Sequence, residues 1–168
     1  KPFKIKLAES EDLLAMGENS HWVLLASSMD TVMMRNRLAA YMGRELGLLF
    51  TPEFVPVDFI VNGNYMGCYL LGHHVRIDKN RVDIDKIKKK DTEEPAITGG
   101  YLLALHPYPY EAEINKITTR RNVEFLIDPT DLSEYNESQQ EAAAAQRNYV
   151  ESYLQRTEDA IYGEDSRN

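Results

Sequence analysis

Apolar and polar positions alternate along Lys1–Leu7. Phe3, Ile5 and Leu7 fall on one side and Lys4 and Lys6 on the other, which is the two-residue period of a half-buried strand. A short helix is expected from an N-cap at Ser10 to Met16, and the continuously apolar Trp22–Ala26 predicts a second strand. Met34, Leu38, Tyr41 and Met42 recur at helical spacing, so a helix is expected from an N-cap at Asp30 to about Leu46, closed by Gly47. Val55–Val61 and Tyr65–Val75 flank Asn62-Gly63, a dipeptide suited to the positive φ angles of a two-residue turn, and predict an antiparallel hairpin. Ile77–Ile84 reads as a loop or short strand, and the charged stretch 85–97 as an exposed loop. GGYLLALH (99–106) predicts a strand ended by Pro107 and Pro109, and Phe125–Ile127 a short one. The last element is a helix with Val150, Tyr153, Leu154, Thr157 and Ile161 as its inner stripe. Ser138 and Glu141 are spaced as its capping box, Ala142–Ala145 supply helix propensity, Gly163 closes it and 164–168 form a frayed tail.

The pattern predicts an α+β class, with a mixed or antiparallel sheet, one hairpin and two main helices in a single domain spanning 1–168. Composition changes this little, since a hydrophobic fraction of 43% is ordinary for a chain that buries a core. The net charge of −8 opposes a phosphate backbone, so no nucleic-acid partner is expected; Lys86–Lys90 and Arg120-Arg121 read as solvated loops. Cys68 is the only cysteine, which rules out an internal disulfide, and it reads as a small buried hydrophobe. No apolar run reaches the roughly 20 residues that span a bilayer. The chain opens on Lys1 inside a strand-like pattern and reads as a piece of a longer protein.

Candidate chemistry is thinly spread. Arg35-Asn36, in the first turns of a helix, suits either a phosphate clamp or an ion pair with Asp30 or Asp58; an arginine there opposes the helix dipole and needs such a partner. Lys4 and Lys6 suit phosphate contacts or, equally, the solvated charges that protect an edge strand. Lys79, Asn80, Arg81 and Asp83 form a polar cluster in which Asp83 is the carboxylate best suited to catalysis or a metal, with a plain polar turn as the alternative. His73 and His74 point to opposite sides of a strand, so at most one can join His106, and two histidines make a weak zinc site. Trp22, Tyr65, Tyr69 and Tyr101 read as packing residues. Neither a nucleophile elbow nor a Walker-type phosphate loop is present.

The ordered set KPFKIKL, WVLLASSMD, MMRNRLAAYMGRELGL, VDFIVNGNYMGCYLL, DKNRVDI, GGYLLAL and ITTRRNVEFLI resembles the CotH kinase family, named for spore coat protein H, over most of residues 1–127. The resemblance implies an atypical protein-kinase-like fold. In active members it implies transfer of the ATP γ-phosphate to protein serine with a divalent metal. On that basis ATP and Mg²⁺ are the expected cofactors, Asp83 is the catalytic and metal-binding acid, and Lys4, Lys6, Arg35, Asn36, Lys79, Asn80 and Arg81 are the phosphate contacts. It also implies an extracellular, cell-surface or spore-coat location. The departures are specific. The family's upstream Arg-Gly-Asn-Ser-type strand is missing, Ala104 and His106 stand where relatives carry acidic residues, and Gly72-His73-His74 stands where they tend to carry a glutamate. Alanine offers no ligand and histidine a poor one for a hard cation. The expected function is therefore a catalytically degenerate module that binds a nucleotide, a peptide or a surface partner, with an active atypical serine kinase as the alternative.

Overall fold

A computed structural model describes residues 1–26, 28–105, 111–128 and 132–163. The chain divides into two compact units, Lys1–Asp83 and Ile84–Asn168, each with its own sheet. All strand pairs among the described residues are antiparallel; a lone parallel bridge joins Ile77 to Val82. With two helices, the class is α+β.

The first unit holds β1 (Phe3–Glu11), β2 (Asn19–Leu25), α1 (Arg35–Glu45), β3 (Phe54–Val61) and β4 (Asn64–His73), in sheet order β1-β2-β4-β3. The helix expected from Ser10 does not form. β1 runs on to pair Glu11 with Asn19, and Asp12 accepts the Gly17 N–H at 2.9 Å across the turn. A helix of seven residues is too short to compete with strand pairing. Ile5 faces Trp22, which faces His73, and Phe3 faces Leu24, which faces Leu71, so these residues share one side of the sheet. There the rings of Phe3, Phe59 and Tyr69 cluster with centroids 5.3 to 5.9 Å apart, and Trp22 and Leu24 are buried. The connection from β3 to β4 turns through Asn62 (φ 50°) and Gly63 (φ 80°), flanked by the Val61–Asn64 pair. The register slips by a bulge between Phe59 and Ile60.

α1 differs from the sequence reading at its start and on its faces. Asp30 lies five residues ahead of it, yet its carboxylate accepts the Arg35 N–H at 2.7 Å, so it satisfies a first-turn donor from outside the helix. The expected inner stripe is turned outward: Met34, Leu38, Tyr41 and Met42 are exposed, whereas Ala40 and Gly43 are buried. Gly43 sits so close to Thr51 and Leu48 that a β-carbon there would collide with the Thr51 side chain. Small residues, not large ones, therefore set the contact line.

The second unit holds β5 (Leu103–Leu105), β6 (Lys116–Thr118), β7 (Glu124–Ile127) and α2 (Gln140–Tyr162), in sheet order β5-β7-β6. Its core joins Ile117, Ile127, Leu132 and Tyr135 to Ala142, Ala143 and Val150 of α2. The buried line of the helix continues through Gln146 and Glu158, while Tyr153, Thr157 and Ile161, expected inside, are exposed. The capping box forms at Asn136 and Gln139, not at Ser138 and Glu141, because a 3-10 turn precedes the helix. The stretch 85–97 is largely exposed and is anchored by buried Ile87 and Ile97. His106, Pro107, Pro109 and the tail 164–168 lie outside the described residues.

Candidate functional site

Cationic side chains gather near the β1 edge of the first unit's sheet. Lys4 and Lys6 are exposed on β1, an edge strand, and Lys6 pairs directly with His21 of β2. The His21 ring lies 6.4 Å from that of His74, and its Nδ1 is 2.9 Å from the Ser20 hydroxyl. Partial burial, followed by the positive charges of Arg76 and Lys6, holds the His21 pKa below the usual histidine value, with Asp78 opposing them. Lys6, His21 and Arg76 thus share one electrostatic neighbourhood, with Lys4 two residues along the same strand face.

Residues 76–82 close a tight loop beyond β4: the Val82 N–H donates to the Arg76 carbonyl at 3.0 Å and the Arg81 N–H to the Asp78 carbonyl at 2.9 Å. Asn80 ties this loop to the turn after β1, donating from Nδ2 to the Glu18 carbonyl at 3.0 Å. Arg81 is turned inward and is only 4% exposed. Its guanidinium lies 4.8 Å from the Trp22 ring centroid, and Nη1 donates to the Asn80 carbonyl at 2.6 Å. Nε and Nη2 have no hydrogen-bond partner. His73 packs against the same tryptophan. Its Nε2–H donates to the Met16 carbonyl at 2.9 Å and its Nδ1 accepts the Glu53 N–H at 3.3 Å, so both ring nitrogens are committed in the neutral form. Burial, then the Arg81 charge, keeps its pKa low.

The remaining sequence candidates are dispersed. Lys79 and Asp83 are exposed. Arg35 and Asn36 are exposed at the start of α1, where the Arg35 guanidinium donates to the Met29 carbonyl at 3.4 Å. Asp58 instead accepts the Tyr65 hydroxyl at 2.9 Å and does not pair with Arg35. Cys68, expected inside, is exposed, with Sγ 3.6 Å from the Met33 sulfur. His21 and Arg76 went unnoticed in the sequence because only strand register reveals what lies opposite Lys6.

Among the described residues, no group of three or more His, Cys, Asp or Glu is placed to hold a metal ion. Ala104 lies in β5 opposite Leu126 and contributes no donor. Asp83 belongs to no such group. No helix among them is long and apolar enough to cross a membrane. The family model for CotH kinase protein matches residues 1–167, and the chain belongs to that family. No curated protein and no solved structure matches it.

Proposed function

We propose that this CotH-family domain is a non-catalytic binding module that holds a phosphate-bearing ligand, a nucleotide first of all, on the side of the unit-1 sheet carrying Lys4, Lys6, His21 and Arg76. The carrying observation is the Lys6–His21 cross-strand pair with the Arg76 charge beside it, in a protein whose net charge is −8. Such a concentration of positive charge attracts a polyanion, and neutral His21 is poised to gain a proton when one arrives. The kinase-like fold implied by the family makes ATP the natural first ligand, and the family's association with the spore coat suggests a surface setting with a protein partner. Without gathered carboxylates among the described residues, the site favours holding over transfer.

Thermal unfolding with metal-free ATP tests this reading. At about tenfold excess over Kd, the ligand stabilises the fold by roughly 1.4 kcal/mol. Lys6→Glu and Arg76→Glu abolish the stabilisation. His21 should titrate at higher pH in the complex, read by NMR, so affinity rises as pH falls through its pKa. Absence of any ATP stabilisation refutes the site. Radiolabel transfer to a serine substrate, lost in Asp83→Ala, refutes the non-catalytic assignment and restores an Mg-ATP-dependent kinase.

A further inference from the structure

We propose that the groove between α1 and the start of β3 is a docking site for an acidic amphipathic helix of a protein partner. Met34, Leu38 and Tyr41 form one wall and Pro52, Phe54 and Val55 the other, enclosing about 400 Å³. Met34, Leu38, Tyr41 and Met42 are each more than half exposed, as are Leu46, Leu48 and Leu49 just beyond the helix. On its inner side the helix buries only Ala40 and Gly43. A helix that keeps its large apolar residues in solvent and its small ones inside presents exposed apolar surface of the kind that marks an interaction site.

Charge selects the occupant. α1 carries three arginines and one glutamate within a chain of net charge −8. Arg37 lines the groove and has no carboxylate partner among the described residues; the Arg35 guanidinium contacts only a carbonyl. Arg44, also lining the groove, is held by Glu53 at 3.2 Å in a half-exposed pair, which a partner carboxylate can exchange at little cost. An apolar trough flanked by unpaired Arg37 and by Arg44 in its exchangeable pair is complementary to a helix with apolar residues at i, i+3, i+4 and i+7 and acids on its flanks. An anionic bilayer offers the same charge, but a concave groove with Glu53 in its wall suits an inserted side chain better than a flat lipid surface. The groove shares none of Lys4, Lys6, His21 and Arg76 with the phosphate-binding reading, so it stands whether or not that reading does.

The test is fluorescence anisotropy with a labelled amphipathic peptide bearing leucines at i, i+3, i+4 and i+7 and glutamates elsewhere, against a version with lysines in place of the glutamates. The acidic peptide binds at least about tenfold more tightly than the lysine version. Leu38→Asp and Arg37→Glu each weaken it about tenfold or more, and Lys6→Glu leaves it unchanged. Both groove positions are exposed, so circular-dichroism melts of the variants match the parent. Equal affinity for the two peptides, indifference to Leu38→Asp and Arg37→Glu, or loss in Lys6→Glu overturns the proposal. Leu38-dependent binding to phosphatidylserine vesicles without peptide binding, or a dimer in sedimentation that Leu38→Asp dissolves, assigns the groove to lipid or to a second copy and also overturns it.

Discussion

α2 buries Gln146 and Glu158 and gives them partners, whereas α1 buries only Ala40 and Gly43 and turns its leucine, tyrosine and methionine to solvent. Gln146 donates to the carbonyls of Lys88 and Asp91 at 2.8 and 2.9 Å and accepts the Tyr135 hydroxyl at 2.8 Å. Glu158 accepts the Thr119 hydroxyl at 2.6 Å and the Arg121 N–H at 3.3 Å. A satisfied buried polar group tolerates one arrangement of its neighbours, so α2 pins the loops and strands of its unit. An exposed apolar stripe constrains nothing inside the fold and remains available to something outside it. One helix specifies structure and the other leaves a surface open.

The comparison breaks first at Gln146. Gln146→Leu leaves two carbonyls and a hydroxyl without their partner and is expected to cost about 2–3 kcal/mol in urea unfolding. A loss under about 1 kcal/mol would mean that α2 does not pin the 88–91 loop. A middle-sized effect comes from a buried polar group of the first unit, His73. Above its ordinary pKa of about 6.5, His73 is neutral folded and unfolded, and pH has no leverage through it. As pH falls below that value, the unfolded chain takes up the proton first, because the folded pKa is lowered. Stability therefore declines until the folded pKa is passed. Urea midpoints from about pH 7.5 to about 5 should show this slope, and His73→Gln should flatten it. The smallest effect is at α1: Leu38→Asp should change stability by no more than about 0.5 kcal/mol, and a cooperative loss there would show that its apolar side is covered in solution.

What the sequence made legible was local. Alternation located β1 and Asn62-Gly63 located the hairpin, because a strand period and a turn dipeptide act over a few residues. Helical spacing showed which side chains of α1 share a side but not which side meets the protein; close approach at Gly43 decides that. At α2 two capping signals overlap, Asn136 with Gln139 and Ser138 with Glu141, and only the geometry of the preceding turn selects the first. β6 is three residues long and carries no readable period. Lys4 and Lys6 were legible as a pair, whereas His21 and Arg76 join them through pairing between distant stretches. Arg81 in a polar run reads as surface; its burial depends on Trp22, 59 residues earlier in the sequence.

Each sheet draws its strands from one unbroken stretch of chain, with Asp83 and Ile84 at the division. Among the described residues, every strand pair of the earlier sheet is made within Lys1–Asp83. During translation, the emerging polypeptide can close these four strands before the residues after Asp83 have folded, which shortens the time that unpaired edges are open to neighbouring nascent chains.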